Sequence, residues 1–186
     1  KKYEKPVIID ADGLKHLSRD LSLLDKNTVI TPHEAEFEKL FGEKPEPVDK
    51  IVSRSKTAAR KAREYKATIL LKGAIDVITD GRRVRLNKTG APAMSVGGTG
   101  DALAGITAAL LAKHLEPFDA ACVAAFINGV AGGLAYLDKG DSMTAQDLLE
   151  KIPIALSNPL EAAKKATIYR SVKYKERIEA PGWQVL

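Results

Sequence analysis

The chain has one cysteine in 186 residues, so no intramolecular disulfide can form, and a disulfide-stapled scaffold is excluded. It has three histidines, and together with Cys122 they make no cluster with metal-ligand spacing. No metal-ligating protein residues are therefore expected. Aromatic residues are only 5% of the chain, too few to interleave with the basic residues as a single-strand binder requires. No apolar stretch reads as long enough to cross a bilayer, and no secretory leader or lipidation motif is present. The expectation is a cytoplasmic protein with no membrane and no nucleic-acid partner. Three common signatures are also missing: the Gly-x-Ser-x-Gly elbow, the Walker Gly-Lys-Ser/Thr and the dinucleotide Gly-x-Gly-x-x-Gly. No internal repeat or low-complexity tract is visible.

What is present is ordinary globular composition, 45% hydrophobic and 28% charged, in a length that suits one sizeable domain. The formal net charge is +5. The basic excess sits at the two ends and along Arg54–Arg63, and reads as a solvated Lys/Arg/Glu surface of the kind common in heat-adapted proteins.

Short apolar runs alternate with helical patterns. Val7–Ile9, Thr28–Ile30 and Thr68–Leu71 read as strands. Asp76–Thr79 and Arg83–Leu86 flank Asp80-Gly81, a hairpin signal placed at one edge of the sheet. Leu14, Leu17, Leu21 and Leu24 have helical spacing, as do Glu34–Leu40, Val48–Tyr65, Ala102–His114 and Phe118–Leu137. Thr144-Ala-Gln-Asp147 opens a further helix with a capping box and ends near Leu156. The expected fold is α/β, three-layered, with a mainly parallel central sheet. A strand almost at the first residue suggests that such a sheet lacks its N-terminal part here. Residues 1–156 form the expected domain portion. Residues 157–186 form a charged tail expected to pack on a neighbour.

The most informative stretch is Met94-Ser-Val-Gly-Gly-Thr-Gly-Asp-Ala-Leu-Ala-Gly105. Gly97, Gly98 and Gly100 let the backbone approach a ligand closely. Thr99 reads as the cap of the following helix, whose unpaired N–H groups and positive dipole end suit an anion. Asp101 follows in the first helical turn. A carboxylate beside a bound phosphate points to proton handling at a reacting hydroxyl. Three more polar clusters fall at strand ends, where open α/β sheets bind ligands. They are Asp10-Ala11-Asp12-Gly13, Thr31-Pro32-His33-Glu34 and Lys72-Gly73-Ala74. Asp10 and Asp12 also read as helix caps, Thr31–Glu34 as a helix start, and Lys72 as a surface lysine. His33 is the histidine expected to touch a ligand. His16 and His114 read as structural, and Cys122 as a small core residue.

These residues carry a resemblance. Val96-Gly-Gly-Thr-Gly-Asp101 resembles the anion-hole signature of the ribokinase-like superfamily. The ordered set of Ile9–Leu14, Thr31–Phe37, Leu71–Ala74 and Ala91–Gly105 is similar to that of the ADP/ATP-dependent NAD(P)H-hydrate dehydratases, from about Pro6 to Leu156. The resemblance implies repair of hydrated NADH and NADPH, driven by ADP or ATP with Mg²⁺. It implies that His33 and Asp101 contact the hydrated dinucleotide, with Asp101 catalytic. It implies a nucleotide site lined by Lys72, Gly73, Ala74, Ile75 and Asp76 and by Ala91, Pro92, Ala93, Met94, Ser95, Val96, Gly97, Gly98, Thr99 and Gly100. It further implies a homo-oligomer and, in many members, a fused N-terminal epimerase domain. Relatives often read Gly-Asn-Pro-Gly/Ala-Met where this chain has Gly90-Ala-Pro-Ala-Met94, so Ala91 removes a side-chain amide. Two rival readings use the same residues: a ribokinase-like kinase acting on a vitamin precursor or sugar hydroxyl, and a non-catalytic nucleotide-binding or assembly module.

Overall fold

The computed structural model describes residues 5–166 and the backbone of 183–185. Six strands form one sheet in the order β1-β2-β3-β4-β5-β6. They are β1 (Val7–Ile9), β2 (Thr28–Ile30), β3 (Thr68–Leu71), β4 (Asp76–Thr79), β5 (Val84–Asn87) and β6 (Trp183–Val185). β1/β2 and β2/β3 are parallel, with Val7 opposite Thr28 and Val29 opposite Thr68. β3/β4 and β4/β5 are antiparallel, with Ile69 opposite Thr79 and Val77 opposite Leu86. β6 runs parallel to β5, with Val84 opposite Trp183.

The hairpin is therefore internal to the sheet rather than at its edge. A strand arriving from the far end of the chain pairs through its backbone, and so short a segment has no periodicity to announce it. α7 (Pro159–Ala166) folds back until Ala166 lies on Gly133. Residues 167–182, with most of the tail's basic residues, lie outside the described ones.

Strand alternation sorts the core into two faces. Ile30, Ile69, Leu71 and Val77 pack with Phe37, Ile51, Ala58 and Ala62 of α2 (Glu34–Phe41) and α3 (Ile51–Tyr65), beside α1 (Asp12–Leu17). Val29, Leu70 and Ile78 face the other way, onto Leu103 and Leu111 of α4 (Thr99–Ala112) and Phe118, Ala121 and Ala125 of α5 (Pro117–Lys139). α6 (Ala145–Ser157) and α7 cover the outer side of α5 through Leu148, Ala155 and Ala162, with Met143 just before α6. α5 thus has neighbours on nearly every side, which is why it is apolar all round. Contrary to the sequence expectation, Pro117–Ser142 is long and apolar enough to cross a bilayer, but 72% of that window is buried within the protein, as in a core helix.

Two local expectations differ. The leucine run does not make one helix. α1 ends at Leu17, and Asp20 accepts from the Ser22 N–H to start a separate 3-10 turn at Leu21–Leu23. Leu14, Leu17 and Leu24 still reach the core. Thr99 does not cap α4. Gly98 holds that position at φ 95°, and the Thr99 hydroxyl faces the Met94 and Val96 carbonyls at 2.7 and 3.0 Å.

Candidate functional site

β1, β2, β3 and β5 all end at one edge of the sheet, and the polar segments that follow them meet there. Between them lies a cavity of about 710 Å³. Its walls are the Lys72–Asp76 turn after β3, the Lys88–Val96 segment after β5, the start of α4 and the middle of α5, with His33 at the rim.

The Lys72–Asp76 turn is tied at both ends. The Lys72 N–H donates to the Pro32 carbonyl at 2.9 Å. The Gly73 N–H donates to Asp76 Oδ1 at 3.0 Å, and Asn87 Nδ2 donates to Asp76 Oδ2 at 3.0 Å. Burial pushes the Asp76 carboxyl up to about 6, against the opposing pull of those two donors and of the Lys72 and Arg54 charges.

The Lys72 ammonium donates to Asp10 Oδ1 at 3.0 Å and lies 3.8 Å from Glu36 Oε2. Asp10 is therefore an ion-pair partner and not a cap. Glu36 Oε2 also accepts from the His33 backbone N–H at 2.8 Å. His33 Nδ1 accepts from the Ala35 and Glu36 N–H groups at 3.1 and 3.3 Å, closing a capping box at the start of α2. An imidazole accepting at Nδ1 carries its proton on Nε2. His33 thus caps a helix and lines the cavity at once. The chain His33–Glu36–Lys72–Asp10 joins the ends of three strands, and Lys72 Nζ lies 3.7 Å from where a Gly100 Cβ would be.

The glycine loop is held from two sides. A Cβ on Gly98 would come within 2.8 Å of Ala145 Cβ, and its φ of 95° also favours glycine. The Met94 side chain occupies the space a Gly132 Cβ would need. No side chain caps α4, so its first N–H groups are left for an anion. Among the described residues, no three His, Cys, Asp or Glu side chains are grouped to hold a metal ion.

Of the expected nucleotide-site residues, Lys72–Asp76, Ala91, Pro92, Met94, Ser95, Val96, Thr99 and Gly100 line the cavity, whereas Ala93, Gly97 and Gly98 do not. Asp101 is also off the wall and is exposed. The sequence reading missed Lys88, Thr89, Gly90, Leu103, Ala125, Asn128 and Gly129, which complete the lining. Asn128 carried a usable signal, as a lone amide inside an apolar helix. Its Nδ2 reaches the Thr99 carbonyl at 3.4 Å, and its buried Oδ1 has no protein partner.

The family model described as NAD(P)H-hydrate dehydratase matches residues 1–154. The chain belongs to the NAD(P)H-hydrate dehydratase family. It is 57% identical over 183 residues to a bifunctional NAD(P)H-hydrate repair enzyme of Hyperthermus butylicus, covering 97% of this chain and 33% of that one. It is 49% identical over 148 residues to an ADP-dependent (S)-NAD(P)H-hydrate dehydratase of Cenarchaeum symbiosum, covering 79% of this chain and 50% of that one. Among solved structures it is similar to the ADP/ATP-dependent NAD(P)H-hydrate dehydratase of Bacillus subtilis co-crystallised with ATP/Mg²⁺. The TM-score is 0.65 and the identity 28%, over 82% of this chain and 54% of that one. The fold is ribokinase-like. The chain spans between a third and about half of the length of these relatives.

Proposed function

We propose that the protein dehydrates the hydrated nicotinamide of NADH and NADPH, with ADP as phosphoryl donor. The observation that carries this reading is the division of the site about the start of α4. The cavity beside it is lined by the Lys72 turn, part of the glycine loop and the uncapped helix end, and Asp101, in the first turn of α4 and off the cavity wall, keeps an exposed carboxylate.

In this reading ADP lies in the cavity, and the hydrated ring is met by His33, which lines the cavity, and by Asp101, which is off its wall. Asp101 accepts the proton of the ring hydroxyl, whose oxygen attacks the terminal phosphorus and displaces AMP. The resulting phosphate is a far better leaving group than hydroxide. It departs with the C–O electron pair while the neighbouring ring carbon loses a proton, which restores the dihydronicotinamide. The N–H groups of Thr99 and Gly100, at the uncapped start of α4 on the cavity wall, face the charge on the transferring phosphoryl group. Mg²⁺, brought with the nucleotide, supplies further neutralisation of phosphate charge. The preference for ADP is supported by the name of the Cenarchaeum relative. For the whole protein, a fused epimerase domain and a homo-oligomer belong to the same proposal, the first supported by the bifunctional Hyperthermus relative.

The test is incubation of the full-length protein with hydrated NADH, Mg²⁺ and either nucleotide. Recovery of the dihydronicotinamide absorbance band with ADP is the expected result. A stable phosphate ester formed on another hydroxyl compound, with no recovery of that band, would instead identify a kinase using the same loop and aspartate.

A further inference from the structure

Arg54 stands outside every function assigned above, yet it is the largest fully buried side chain among the described residues, 2% exposed. It lies on α3, and its guanidinium bonds three residues outside that helix. Nη1 donates to Glu34 Oε2 at 3.1 Å and to the Glu46 carbonyl at 2.7 Å. Nη2 reaches the Lys72 carbonyl at 3.4 Å and lies 3.5 Å from where a Gly73 Cβ would be. Nε is buried without a partner.

A buried guanidinium with one carboxylate partner and an unsatisfied N–H is a poor device for stability, because an apolar side chain of similar volume usually does as well or better. Its geometry is more specific than its energetics. Glu34 begins α2 immediately after His33, the Glu46 carbonyl belongs to the loop leading to α3, and Lys72 and Gly73 form the turn that walls the cavity. A rigid planar fork fixes the distances among these segments in a way that a flexible ammonium cannot.

We propose that Arg54 is a positioning residue for nucleotide binding: it sets the Lys72-Gly73 turn against the His33 end of α2, and so places the Lys72 ammonium and the Gly73 backbone in the cavity. The proposal rests on the reading of that cavity as a nucleotide site. The His33–Glu36–Lys72–Asp10 chain ties the same segments at the cavity side, and Arg54 ties them from beneath.

The experiment is calorimetric titration of full-length Arg54→Lys and Glu34→Gln proteins with ADP and Mg²⁺, beside the unsubstituted protein. Titration separates the two roles. Loss of folded protein lowers the measured stoichiometry but leaves Kd unchanged, whereas a displaced turn raises Kd at unchanged stoichiometry. The expected result is about tenfold weaker binding for Arg54→Lys and a smaller weakening for Glu34→Gln. Glu34 is 42% exposed in its side chain, so its variant keeps the fold even where Arg54→Lys does not. An unchanged Kd in the folded variants overturns the proposal. Weakened binding in the variants of a protein that binds ADP but dehydrates nothing would leave Arg54 in its role and remove the dehydratase reading. An unsubstituted protein that binds no nucleotide overturns both.

Discussion

Asp101 follows the glycine loop in α4 and Asp76 closes the Lys72 turn at the start of β4, and their surroundings set them apart. Asp101 is exposed and off the cavity wall, free to meet a second substrate. Asp101→Asn keeps the shape of the helix start but cannot accept a proton. The expected outcome is loss of turnover by at least about a hundredfold, with ADP affinity within a few-fold of the unsubstituted protein, measured by the absorbance assay and by titration. Asp76 is held by two donors in a poorly hydrated place, and burial pushes its carboxyl up to about 6 from an ordinary value of 3.8. The folded state therefore binds the proton more tightly than the unfolded chain. The stability from that proton is fully present below about pH 4 and is lost as pH rises through about 6. Denaturant titrations from pH 4 to 7 should show this loss in the unsubstituted protein and not in Asp76→Asn. Parallel curves would show that Asp76 titrates normally. The glycine loop singled out Asp101 from the residues themselves, with a proton-handling role, whereas Asp76 entered only through the family resemblance, as a nucleotide-site residue. The burial of Asp76 was not legible, because it depends on how Asn87 and the turn after β3 close around it.

At the level of elements, every strand among residues 7–87 was legible, since short β-branched runs between turn residues leave little choice. What failed were boundaries set by side-chain hydrogen bonds. Asp20 starts a new turn within the leucine run, and Thr99 uses its hydroxyl to hold the loop behind it. The close approach of α5 to the loop was legible only as a supply of small residues. Its stringency is now specific to position. A Gly129 Cβ would lie 2.0 Å from Thr89 Oγ1 and 2.8 Å from the Thr89 carbonyl carbon, so Gly129→Ala must push the cavity wall off the helix. A stability loss of about 1–3 kcal/mol is expected, together with weaker ADP binding, since both residues line the cavity. Gly105 is the control. It lies in the interior of α4 with nothing within 4 Å of its Cβ position, and Gly105→Ala is expected to stabilise by about 0.5–1 kcal/mol. Equal effects from the two substitutions, in thermal denaturation, would show that α5 packs less closely than drawn.

At the scale of the molecule, a three-layer α/β architecture follows from the alternation of strand and helix patterns, whereas β6 and the burial of α5 follow only from chain segments that meet in space. That burial makes a reporter of Cys122. It is 8% exposed in the layer that joins α4 and α5 to the sheet, and burial pushes its thiol up to about 12. Near neutral pH the native protein therefore offers a thiol reagent neither a thiolate nor access, and reaction must await opening of that layer. Two kinds of opening can be told apart with ADP. If the layer opens only by global unfolding, ADP at about a hundred times its Kd should slow labelling about a hundredfold, because nucleotide is bound by the native state alone. If α5 frays locally while the cavity stays intact, ADP should leave the rate nearly unchanged. The first outcome is expected, because Ala125, Asn128 and Gly129 belong both to α5 and to the cavity wall. The helix that carries Cys122 cannot leave the sheet without dismantling the cavity proposed to hold the nucleotide.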